Sequence, residues 1–143
     1  MKTKTIYFLL VAVCVLLTGC NREQRKVEVI AQNYLTDMGN YRFEEAKKYA
    51  AEEQLPMIEK AAEIVKDIPE ENLQQVLPVT ITLKDINIEN DSAFVVFESK
   101  SKAFQNKGML KMVKQEGEWK ACQQKRIEDY TPTNEWTTII TSD

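Results

Sequence analysis

The spacing of apolar residues changes once, at Pro78, and that change divides the chain. Before it the spacing is helical. Val27, Ile30, Ala31, Tyr34, Leu35 and Met38 stand at i, i+3, i+4, i+7, i+8 and i+11, a single stripe on a 3.6-residue period. Gly39 follows where a left-handed cap ends such a helix. A shorter helix is expected over about 43–51, turning Phe43, Ala46, Tyr49 and Ala50 inward. A third starts near Pro56, a residue tolerated in a first turn. Its stripe is Ile58, Ala61, Ala62, Val65 and Ile68, and Pro69 stops it. Residues 70–77 read equally as a helical turn or a loop.

After Pro78 the period is two. Val79, Ile81 and Leu83 alternate with Thr80, Thr82 and Lys84, then Ile86 and Ile88 continue on the opposite parity. A one-residue slip of phase at Lys84 and Asp85 is what a β-bulge produces. Residues 89–92 make a turn, and 93–100 form a second strand. A polar stretch over 101–107 precedes a third strand over 108–114, with Leu110 and Met112 on one face. A hairpin at 115–118 returns the chain as a fourth strand over 119–123. Residues 133–141, behind Pro132, have strand propensity and read as an edge strand or a tail. Helices followed by an antiparallel meander are an α+β order: helices packed on one face of a curved sheet.

Ahead of the helical stripe lies a different pattern. Lys2 and Lys4 precede an unbroken apolar run of 12 residues, Ile6 to Leu17, and then Thr18, Gly19 and Cys20. Such a run reaches about 18 Å as a helix, short of the roughly 30 Å of a bilayer core. A basic start, a short apolar stretch, small residues and a cysteine resemble the lipobox of a bacterial lipoprotein signal. The resemblance implies that Cys20 carries a diacylglycerol thioether and becomes the first mature residue once the bond between Gly19 and Cys20 is cut. Acyl chains of the palmitate kind then hold the chain in a membrane, stably once two insert. The plainer alternative is an ordinary secretory signal with Cys20 as a simple cysteine. Asn21 stands where many enterobacterial lipoproteins kept at the inner membrane carry aspartate. The expected location is therefore the cell envelope, at an outer membrane where the cell has one. In a Gram-positive host it is the outer face of the single membrane. This divides the chain into a signal (1–19), a lipidated tether (20–25), a domain (26–127) and a C-terminal extension (128–143).

Composition narrows the chemistry. Loss of Lys2 and Lys4 from 19 basic residues leaves 17 against 22 acidic ones, a net charge of −5 over 124 residues. That is enough chain for one domain with a core, and its charge balance argues against nucleic acid as a partner. On the lipoprotein reading Cys14 leaves with the signal and Cys20 is acylated, so Cys122 has no partner for an intramolecular disulfide. With no histidine in the chain to activate it, Cys122 reads as a small strand residue rather than a reactive thiol. The same lack removes Ser-His-Asp and Cys-His catalysis and a typical zinc site. Gly39, Gly108 and Gly117 cannot assemble a phosphate loop and read as backbone punctuation. No metal or cofactor is expected.

Three segments carry a resemblance: Tyr34 and Leu35 through Gly39, Asn40 and Tyr41 to Glu45, Ala46 and Tyr49; Val79 to Ile81 leading to Asp91 through Val96; and Leu110 to Lys120, an apolar strand with a Lys-x-x-Gly-x-Trp-Lys return. Together they resemble the NTF2-like (cystatin-like) cone fold, and more narrowly the small bacterial lipoproteins with a DUF4878-type domain. The resemblance implies a concave sheet closed by helices around a pocket. In NTF2-like enzymes such a pocket holds an acid–base residue beside a tyrosine. The corresponding candidates here are Asp85 and Glu98, with Tyr34, Tyr41 and Tyr49. Tyr34, Asp85 and Trp119 are the candidate ligand contacts, and Trp136 is a further aromatic in the extension. Each also has a plainer reading: Tyr34 and Trp119 as packing, Asp85 as a solvated bulge acid, Glu98 on the wet side of a strand. These motifs specify shape rather than chemistry. The expected role is a non-enzymatic envelope module binding a small apolar, amphipathic or peptide ligand. The alternative is an accessory lipoprotein acting by homodimerisation or by docking to another envelope protein, and an enzyme using Asp85 or Glu98 as base is the least favoured.

Overall fold

A computed structural model of the chain describes residues 2–127, with side chains from residue 21 onward. The Cys20 side chain and the extension 128–143, with Trp136, lie outside what is described. Four helices, α1 (Lys2–Gly39), α2 (Phe43–Ala46), α3 (Leu55–Lys66) and α4 (Glu70–Val76), precede four strands, β1 (Thr80–Glu89), β2 (Ser92–Lys100), β3 (Gln105–Gln115) and β4 (Glu118–Ile127). The strands form one antiparallel sheet in the order β1-β2-β3-β4. The fold is the expected α+β one, helices over one face of a curved sheet. Among the described residues no helix is long and apolar enough to cross a membrane.

The stripe read from sequence is the buried face of α1: Val27, Ala31, Tyr34 and Leu35 are core residues, with Ile30 and Met38 packed beside them. The helix ends differently from expectation. Gly39 is its last residue, and the left-handed position falls two residues later, on Tyr41 at φ 61°. The Arg42 N–H donates to the Asp37 carbonyl at 2.8 Å and the Tyr41 N–H to that of Met38 at 3.2 Å. This pair of bonds is a Schellman cap with tyrosine in the place usually held by glycine. Gly39 serves packing instead: a Cβ there would sit 3.2 Å from the Val79 side chain.

The second helix is shorter than its pattern. After α2 the chain tightens into a 3-10 turn, Lys47–Tyr49. Ala50 then pairs with Ala121 of β4, and the Ala51 N–H donates to the Ala121 carbonyl at 2.8 Å. Three alanines let backbones approach closely enough for that bridge, and it outcompetes a further helical turn. Residues 70–77 resolve in favour of a helix, α4.

In the sheet, the register between β1 and β2 shifts between Leu83 and Asp85, leaving Lys84 as the extra residue of the expected bulge. A second shift opposite Lys111 and Met112 leaves Cys122 as the extra residue of β4. Both β3 and β4 run further than expected, since 105–107 pair with β2 and 124–127 with β3. The β3–β4 turn has Glu116 at φ 51° and Gly117 at φ 79°, the twist a two-residue hairpin favours. Register assigns faces. Ile81, Val95, Phe97, Leu110, Met112 and Ala121 face the helices and form the core with α1. The opposite face carries Phe94, Val96 and Met109, which are also buried within the chain.

Candidate functional site

The core does not fill the fold at the C-terminal end of α1. There a cavity of about 480 Å³ lies between α1, Met57 of α3, Val76 of α4 and the sheet. Its volume falls within the roughly 300–1,000 Å³ of small-molecule sites. Leu35, Met38, Val79, Ile81, Phe97 and Phe104 give it apolar walls. Two glycines shape it. Gly39 lets Val79 come against α1, and Gly108 lies under the Phe97 ring, where a Cβ would meet Phe97 Cζ at 2.5 Å. Gly108 and Phe97 are register partners. Gly108 is thus a strand-interior residue whose missing side chain makes room for a ring, not punctuation at a strand start.

Polar groups sit along one side of the cavity. Ser99 and Asn106 are partners across β2 and β3, and Gly108 and Arg126 across β3 and β4. Alternation on the pleat therefore puts Ser99, Asn106, Gln124 and Arg126 on the cavity face. Lys107 and Lys125, which also line it, occupy the alternate positions and present backbone there. Arg126 Nη2 donates to Asn106 Oδ1 at 2.6 Å. Among the described residues no aspartate or glutamate lines the cavity.

The residues singled out from sequence lie elsewhere, and none of Tyr34, Asp85 and Trp119 lines this cavity. Tyr34 is 1% exposed in the core, and burial pushes its phenol up to about 12. Asp85 is exposed at the bulge, where its Oδ1 accepts from the Ile86 N–H at 2.9 Å. Glu98 pairs with Lys84 at 4.0 Å. Register puts both Asp85 and Glu98 on the face away from the helices. Of the tyrosines, Tyr41 lines the cavity, while Tyr49 packs at the edge of the core. Arg126 and Asn106 were missed because both fall in polar runs with no apolar alternation to mark a face. A glycine opposite a phenylalanine in adjoining strand patterns was the available signal.

Trp119 belongs to a second constellation, at the opposite end of the strands. Glu23 of α1 accepts from Trp119 Nε1 at 3.0 Å, Lys114 Nζ at 2.9 Å and Lys26 Nζ at 3.1 Å. These donors, Lys114 foremost, hold its carboxyl down at about 2. Lys114 Nζ also stands 5.6 Å from the centroid of the Trp119 ring. The segment 20–25, expected to be a tether, is helical here, and its glutamate is fastened to the sheet.

Cys122 is half-buried at its bulge, and its thiol lies 3.5 Å from Glu53 Oε1. Burial first, then that carboxylate, raises the thiol pKa, which opposes thiolate chemistry. A depression beside the β3–β4 hairpin is lined by Ala50 and Gln115 together with Glu52, Glu116, Glu118 and Lys120, so charged side chains dominate it. Among the described residues no group of three His, Cys, Asp or Glu could hold a metal ion.

No protein-family profile matches the sequence, and no curated protein matches it as a relative. Solved structures do resemble it. An NTF2-like protein of unknown function from Shewanella baltica superposes with a TM-score of 0.58 at 10% identity, covering 77% of this chain and 96% of that one. A proposed NTF2-like transpeptidase from Campylobacter jejuni superposes with a TM-score of 0.50 at 16% identity, over 67% and 96% of the two chains. The chain therefore has the NTF2-like fold, a helical layer and a curved sheet around a cavity. At these identities the likeness is one of fold.

Proposed function

We propose that the protein is a lipid-anchored component of the bacterial envelope that binds a small or peptide ligand in its NTF2-like cavity and does not transform it. The cavity carries this reading. It is apolar over most of its wall and has a few polar groups gathered on one side, the layout of a binding pocket. The acids weighed as bases, Asp85 and Glu98, stand on the other face of the sheet, and burial opposes ionisation of the Cys122 thiol. The lipobox-like sequence ending at Cys20 supports the anchor. Docking through the sheet is the weaker reading, because Phe94, Val96 and Met109 on the outer face are buried within the chain and offer little open apolar surface.

Native mass spectrometry of the protein, extracted gently from its own envelope, tests the proposal. The expected species begins at Cys20, carries a diacylglycerol and acyl chains, and holds a small extra mass. A chain still bearing residues 1–19, or one lacking the acyl mass, removes the anchor. A bare chain at dimer mass, or one carrying a partner protein, moves the function to an interaction module.

A further inference from the structure

We infer that the cavity takes a ligand with an apolar body and an anionic head, a carboxylate or a phosphate, and that Arg126 receives the head. This rests on the binding reading above and specifies the chemistry of its ligand. The body is set by the walls. Met38, Ile81, Phe97 and Phe104 offer no hydrogen bond from their side chains, and Met57, 48% exposed, extends the apolar surface to the mouth. A ligand polar throughout would lose its water there without compensation.

The head is set by the sheet. Arg126 and Asn106 share the cavity face, and Gly108, the register partner of Arg126, raises no side chain between them. The Asn106 carbonyl accepts one guanidinium N–H at 2.6 Å. That bond orients one side of the fork and occupies one of its five donors, and the exposed side chain keeps the rest. Among the described residues no carboxylate pairs with Arg126. A guanidinium with donors remaining matches the two oxygens of a carboxylate or phosphate. Ser99, across from Asn106 on the neighbouring strand, adds a hydroxyl that can donate to the same oxygens. Among the described residues no acid lines the cavity, so none of them repels an anion there.

The test uses the processed full chain and three probes of one chain length: decanoate, decyl phosphate and decanol. They are offered together, below the concentrations at which they aggregate, and adducts are counted by native mass spectrometry. The anionic probes are expected to exceed decanol by about tenfold, the scale of charge-assisted hydrogen bonds to a guanidinium. Arg126→Gln is expected to bring that ratio close to one while the decanol adduct persists, which also shows that the variant is folded. The ratio of decanoate to decyl phosphate identifies the head. Equal adducts of anion and alcohol on the unaltered chain overturn the head-group assignment and leave the cavity reading standing. An anion preference that survives in Arg126→Gln overturns the role of Arg126. No adduct of any probe overturns the binding reading, and this inference with it.

Discussion

Tyr41 is the residue whose backbone and side chain make opposite demands. Its φ of 61° is one that side chains other than glycine's resist, at a cost of about 1–2 kcal/mol. Its ring lines the cavity and stands 6.1 Å from that of Phe43. Backbone strain kept at a cavity wall marks a position where the side chain is worth more than the relaxed backbone. Replacing the ring in two ways separates the terms. Tyr41→Ala loses the ring and keeps the strain, whereas Tyr41→Gly loses both. Urea unfolding is expected to find the glycine variant more stable than the alanine variant by about 1 kcal/mol. Equal midpoints would show that the left-handed turn carries no strain. The sequence points to a cap near here but misplaces it. Gly39 is the glycine in view, and only its contact with Val79 reveals that its small size serves the approach of β1.

Among the elements, the junction of α1 with β1 is what bounds the cavity from the helix side. Asn40 makes it. Its Nδ2 donates to the Thr36 and Val79 carbonyls at 2.8 and 2.9 Å, and its Oδ1 accepts from the Val79 N–H at 2.9 Å. One amide thus satisfies both backbone groups of Val79, a buried residue just ahead of a strand. Gln32 adds a bond to the Ile81 carbonyl at 3.1 Å. Asn40→Ala leaves Val79 unpaired and is expected to cost about 2 kcal/mol, read as a lower urea midpoint with an unchanged slope. A shift within error of zero would mean that water replaces the amide. How far elements could be read in advance follows from the same physics. The bulge at Lys84 was legible because apolar residues flank it, so that Leu83 and Ile86 disclose the change of parity. The bulge at Cys122 was not, because Gln123, Gln124, Lys125 and Arg126 carry no parity to break. The end of α2 depends on Ala121, some 70 residues away, and no local pattern contains it. The cavity was hidden for a related reason: its walls come from seven elements and the segments between them, and each apolar wall residue alone reads as core.

For the whole molecule, the decisive fastening is Glu23, which ties the long helix to the hairpin end of the sheet. Its carboxyl is held down at about 2, against an ordinary 4.5. A folded-state pKa below the unfolded one stabilises the fold above the unfolded value, and that contribution fades as pH falls toward the folded one. The unaltered protein is therefore expected to exceed Glu23→Gln in stability by a constant margin above about pH 5. The margin closes between 4.5 and about 2. Its size at neutral pH is about 1 kcal/mol, since part of the carboxylate stays in water. Unfolding followed by Trp119 fluorescence at a series of pH values measures it, and a margin that does not change with pH would exclude the ion pair as its source.

That fastening also sets a reach. A loose leash would let the domain tumble over whatever surface holds its start, but residues 20–39 are one rod. Nineteen rises of a helix put Gly39 about 28 Å from residue 20, and Gly39 lines the cavity. The cavity therefore lies at the end of the domain away from residue 20. With the acyl group proposed on Cys20, the protein would meet its ligand from the water side, and would present it at a fixed height.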